Sequence, residues 1–155
     1  MSFQITALAP EPFEHLFRLT DEALAERLAT RVTATSNPGF PCRVSLTDAQ
    51  VGEELLLVNF QHQSANSPFQ SNYAIYVRKG AARAQPGVGE VPEQLHSRTL
   101  SLRAFDRMDM LIGADLAEGD AIAPALEQLL DERETAYVHI HYAKPGCYAA
   151  RAERA

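Results

Sequence analysis

Tyr137-Val138-His139-Ile140-His141-Tyr142, then Ala143-Lys144-Pro145-Gly146, then Cys147-Tyr148-Ala149-Ala150-Arg151: two strand-like runs are separated by four residues. Pro145-Gly146 suits the two central positions of a type II turn, since proline presets the first φ and glycine supplies the positive second one. So short a connection implies antiparallel strands. Side chains alternate along a strand, which puts Tyr137, His139 and His141 on one face and Val138, Ile140 and Tyr142 on the other. The polar parity of that run is not the pattern of a purely hydrophobic core.

Working outward, the same grammar recurs. Thr99 to Phe105 alternates cleanly, with Leu100, Leu102 and Ala104 facing one way and Thr99, Ser101, Arg103 and Phe105 the other. Met110 to Leu116 reads as its hairpin partner. Leu55-Leu56-Leu57-Val58-Asn59-Phe60 is apolar at both parities in its first half, which predicts a central strand covered on both sides. Tyr73 to Val77 is its expected antiparallel neighbour across a polar loop, His62 to Ser71. Phe3 to Leu8 predicts a first strand stopped by Pro10 and Pro12, and Arg31 to Thr35 and Cys42 to Leu46 predict two more.

Two helices stand out. Thr20 is a good N-cap for a helix running to about Ala29, with Asp21 and Glu22 in the first turn. Asp120 to Asp131 carries an apolar stripe of Ile122, Leu126, Leu129 and Leu130, with Pro124 near enough to the start to be tolerated. Gly80 to Ser97 is the longest irregular stretch, and loops of that length are often lids or binding loops. The expected architecture is a single α+β domain over residues 1–155, a mainly antiparallel sheet with about two packed helices.

A chain of 155 residues with 46% hydrophobic and 22% charged content is large enough to bury a core without staples. Its net charge of −6 speaks against nucleic-acid binding, which needs a basic footprint. A local basic stretch does exist, where Arg78, Lys79, Arg83, Arg98, Arg103 and Arg107 outnumber Glu90, Glu93 and Asp106. No signal peptide and no membrane-length apolar run is visible, so a cytoplasmic location away from membranes is expected. Thiols usually stay reduced there, which makes a structural Cys42–Cys147 disulfide unexpected.

The residues with chemistry gather at turns. Asn37-Pro38-Gly39-Phe40-Pro41-Cys42-Arg43 and Lys144-Pro145-Gly146-Cys147 are near-echoes, each with a cysteine after a Pro-Gly turn. If the fold brings both turns together, Cys147, Cys42 and His141 are candidates for nucleophile and base. The candidate binding residues are Arg43, His62, Arg103, His139 and Lys144, where arginine would grip a carboxylate or phosphate. His139 and His141 could instead direct two imidazoles at one metal ion, with both cysteines completing four ligands. No further histidine or carboxylate sits at a supporting spacing, so no metal ligands are assigned. The cofactor stays unknown. A glycine-rich phosphate cradle and a serine-nucleophile elbow are both missing. Two readings follow: a domain binding a small, anionic ligand in a Cys/His/Arg pocket, or an interaction or structural module, for which a homodimer is one form.

The segments Asn37 to Ser45, Ile75 to Arg78, Leu100 to Asp106 and His139 to Cys147 resemble, in that order, the bacterial domain-of-unknown-function family 1203. The likeness runs from about Phe3 to Arg151, and its most specific part is Pro-Gly-Phe-Pro-Cys-Arg. It implies a small stand-alone bacterial cytoplasmic domain and brings no activity, substrate or catalytic residue with it.

Overall fold

The computed structural model describes residues 2–155. Among these residues eight strands form two antiparallel sheets. The larger has the order β1-β8-β7-β5-β6, from Phe3–Thr6, Tyr148–Arg154, Tyr137–Tyr142, Leu100–Phe105 and Leu111–Ala117. The smaller has the order β2-β3-β4, from Ala29–Thr33, Glu54–Gln63 and Ser71–Arg78. Helices α1 (Glu11–Glu14), α2 (Asp21–Glu26), α3 (Glu93–His96) and α4 (Ile122–Asp131) complete the α+β domain, with 3-10 turns at His15–Arg18 and Gly119–Ala121.

The alternation of β5 decides how the large sheet is covered. Leu100, Leu102 and Ala104 join Val138 and Ile140 of β7 and Ile122, Leu126 and Leu130 of α4 in one core. The opposite face carries Arg103 beside His139 and Ser101 beside His141 in register. Every residue of β7 is buried, so its polar face is covered as well. What covers it is the far end of β3: Phe60 and His62 lie against Tyr148, with ring centroids 6.2 and 5.6 Å away. A second core packs Leu56, Val58, Ile75 and Val77 of the small sheet against Phe13, Leu16 and Leu24 of the helical N-terminal segment.

Several expectations need correcting. Cys42 to Leu46 is not a strand: Leu46 has φ +51 and its N–H donates to Cys42 O, so the chain doubles back there. Among the described residues that stretch keeps only isolated bridges, Pro41 to Asp48 and Cys42 to Tyr76. Helix α2 starts as expected, with Thr20 Oγ1 accepting from Ala23 N–H, but stops at Glu26, because Leu28 at φ +54 turns the chain into β2. The prolines expected to stop β1 instead open α1, which follows β1's end at Thr6: Pro10 is its N-cap and Pro12 lies in its first turn, where proline is at home. His62 belongs to β3 and not to the polar loop, because β3 continues through a bulge between Phe60 and Gln63. The stretch 80–97 is no open lid, for it contains α3 and buries Gln94 and Leu95. No helix is long and apolar enough to cross a membrane among the described residues.

Candidate functional site

The doubled-back loop of residues 39–49 lies between the sheets, and Arg43 is its pin. Backbone bonds tie it to the small sheet through Arg43 N–H to Tyr76 O, 3.0 Å. Its guanidinium reaches the large sheet: Nε donates to Tyr148 O at 2.7 Å and Nη2 to Cys147 Sγ at 2.9 Å, while Nη1 closes on Pro41 O at 2.5 Å. Arg43 is 1% exposed and is the bulkiest fully buried side chain among the described residues. No carboxylate among those residues lies within ion-pair reach of it. A buried cation held by carbonyls, a sulfur and a ring face is unusual, since burying a charge costs heavily unless it is paired. The ring is that of Tyr142, 4.9 Å from the guanidinium carbon.

Around that pin lies a cavity of about 700 Å³ lined by Arg43, Arg98, Tyr76, Tyr142, Lys144 and Cys147, among others. Arg98 sits 5.2 Å from the Tyr142 ring and is committed to Asp48 by two hydrogen bonds, 3.0 and 2.6 Å. Burial works to raise the Asp48 carboxyl, but Arg98 and the Gly39 N–H outweigh it and hold it below its ordinary range. Tyr142 donates to Gln94 Oε1 at 2.6 Å, and Gln94 Nε2 donates to Cys42 O, which locks the floor. Burial raises the Tyr142 hydroxyl well above its ordinary value, so it stays a donor. Lys144 stands exposed at the rim.

A second, smaller cavity of about 160 Å³ opens on the other side of the β7–β8 hairpin, lined by His62, Ser71, Arg103, His139 and His141 with Phe69 and Phe105. The His62 ring meets His141 edge-on at 4.9 Å and stacks on Tyr148. His141 Nδ1 lies 2.9 Å from Gly146 O, a bond that requires the proton on Nδ1 and leaves Nε2 bare. Burial first, then His141 and the arginines at 151 and 103, depress His139 to about 3. Burial and Arg103 likewise depress His141 to about 4 against the pull of the Gly146 carbonyl. Both imidazoles are therefore neutral at pH 7.

The structure divides the expected single pocket in two. Arg43, Lys144 and Cys147 line the larger cavity, and His62, Arg103, His139 and His141 the smaller. Cys42 lines neither. It is 0% exposed, and its Sγ accepts from Arg78 N–H and Ser45 N–H within the second core. Cys42 enters the turn where the chain doubles back and joins the small sheet's core, while Arg43, the next residue, reaches across the seam to Tyr148 and Cys147. Neither thiol hydrogen-bonds an imidazole, and both are free. No set of three His, Cys, Asp or Glu residues converges on one point among the described residues, so the four-ligand arrangement of both cysteines and both histidines is not assembled. Sequence reading missed Tyr142, Gln94 and Asp48, and had Arg98 only as one member of a basic stretch. Their signal is tertiary, since the 39–49 loop, α3 with the turn after it, and the end of β7 meet there.

No curated protein and no solved structure matches the chain. The model of one family, described as a protein of unknown function, does match, over residues 39–154. The match takes in the seam loop and every residue that lines either cavity, while β1, α1, α2 and β2 precede it. The chain belongs to that family, DUF1203.

Proposed function

We propose that the protein binds a small organic anion, a carboxylate or phosphate ester, in the cavity lined by Arg43, Arg98, Lys144 and Cys147. The observation that carries this reading is Arg43, a fully buried guanidinium with no carboxylate partner among the described residues. Three of its five N–H groups are used, which leaves two for a ligand. Lys144 at the rim adds charge, and the rings of Tyr76 and Tyr142 with Pro41 and Pro145 supply apolar walls. A cavity of this size and make-up is that of small-molecule sites. Cys147, 8% exposed beside Arg43, is the thiol that lines it. No base contacts it, so the reading stops at binding and makes no claim of catalysis. Cys42 and His141, outside this cavity, have no part in it.

The test is thermal denaturation against a panel of short-chain carboxylates and phosphate esters. A binder raises the melting temperature in proportion to its saturation, and Lys144→Ala, a change at an exposed position, weakens the shift without altering the ligand-free transition. A panel in which nothing shifts the transition and no ligand is carried on the native protein in mass spectrometry overturns the reading.

A second reading rests on its own observation. Strand β6 is an edge, and Met108, Met110, Leu111, Ile112 and Leu116 are exposed on or beside it. An apolar edge offers unpaired backbone groups to another strand, as an interaction module or homodimer would use. A monomer at high concentration in sedimentation would retire it.

A further inference from the structure

We propose that the smaller cavity is a second anion site, in which Arg103 and the imidazoles of His62, His139 and His141 hold a compact inorganic oxyanion. Its volume of about 160 Å³ suits an ion of five heavy atoms and excludes the larger ligands of the first cavity. Three features indicate an anion. Arg103 has only the Ser101 hydroxyl as hydrogen-bond partner, 3.2 Å away, and no carboxylate lines the cavity. His139 is 4% exposed, yet its Nδ1 has no hydrogen-bond partner. Such an atom calls for a ligand, because a buried polar group left unpaired is costly.

Charge decides the sign of that ligand. The groups facing the histidines are Arg103 from β5, Arg151 and Tyr148 from β8, Tyr137 from β7, and Arg43 from the seam loop. The acids that touch Tyr137 and Arg151 are engaged by them: Asp109 accepts from Tyr137 Oη at 2.6 Å, and Glu153 pairs with Arg151. The net field is positive, which repels a metal cation and attracts an anion. It is also what keeps the imidazoles neutral in the ligand-free protein, together with burial. An anion among them reverses that field, so it binds with uptake of protons by His139, His141 or His62. The carbonyl of Gly146 holds the His141 Nδ1 proton, so the incoming proton goes to Nε2.

Sulfate is the suitable probe, since its own charge is constant between pH 5 and pH 8. Titration calorimetry of the full chain should show one sulfate per chain, bound up to about tenfold more tightly for each pH unit lowered while one proton is taken up. Buffers of different ionisation enthalpy should register that uptake. Arg103→Met and, as a second variant should the first not fold, His139→Gln should abolish binding; Lys144→Ala should leave it intact, which separates this site from the first cavity. Absence of sulfate binding at about pH 5.5, affinity independent of pH, or binding retained in both cavity variants would overturn the assignment. So would stoichiometric Zn²⁺ bound with shifts of the histidine nitrogens in NMR spectra.

Discussion

Replacing Arg43 by methionine asks whether one buried guanidinium joins the two sheets. Methionine keeps the volume and the contact with the Tyr142 ring but removes all three donors. Tyr148 O and Pro41 O are then left buried with one partner fewer, and Cys147 Sγ loses its donor. Each hydrogen bond from a charged donor contributes about 1.5–3 kcal/mol net. Against that sum stands the relief of no longer burying a charge, which in pairs replaced by apolar residues recovers about 1–4 kcal/mol. Mid-range values favour the wild type by about 4 kcal/mol, a large share of the roughly 5–15 kcal/mol that holds a domain together. Urea denaturation followed by circular dichroism reads this directly. Arg43→Lys, which keeps the charge and loses the fork, should fall between the two. A double-mutant cycle with Cys147→Ala isolates the Nη2–Sγ contact, because the pair couples only through that bond. An Arg43→Met protein within about 0.5 kcal/mol of wild type would refute the pin, and a more stable one would show that Arg43 is kept for a ligand alone.

Other outcomes follow from the same geometry. His139 and His141 are depressed to about 3 and about 4 in the folded protein, below their unfolded value near 6.5. The unfolded chain thus binds more protons across that window, so stability is full above about pH 6.5 and falls as the pH drops toward 4. The slope should approach about 1.4 kcal/mol per pH unit for each histidine and flatten in His141→Gln; a pH-independent denaturation midpoint between pH 7 and 4.5 would contradict it. With a disulfide-forming thiol reagent, native protein should lose one thiol quickly, and Cys147→Ser should remove that phase, because Cys42 is sealed in the second core. A fast phase that survives in Cys147→Ser but not in Cys42→Ser would place the accessible thiol at the wrong end of the seam.

Periodicity in the sequence determined the strands that became β5, β6 and β7, the α4 stripe, and the sharing of one face by His139 and His141, since alternation and helical spacing are local properties of a chain. The Pro145-Gly146 turn was equally legible: Gly146 has φ +82, the left-handed conformation such a turn requires. The same local rules gave Cys42 to Leu46 as a strand, and there they failed. Leu46 takes a positive φ only because the seam between two sheets holds the loop in place, and nothing in its own residues announces that. Which polar residues meet is a question of packing between segments far apart in the chain. The sequence placed eight candidates in one pocket; tertiary structure sent Arg43 and Cys147 to one cavity, His62 and Arg103 to another, and Cys42 to neither. Cys42 and Arg43 do part as strand alternation predicts, but a turn and not a strand separates them. The destination of each face, a core or a cavity, was decided by the second sheet that closes over β7.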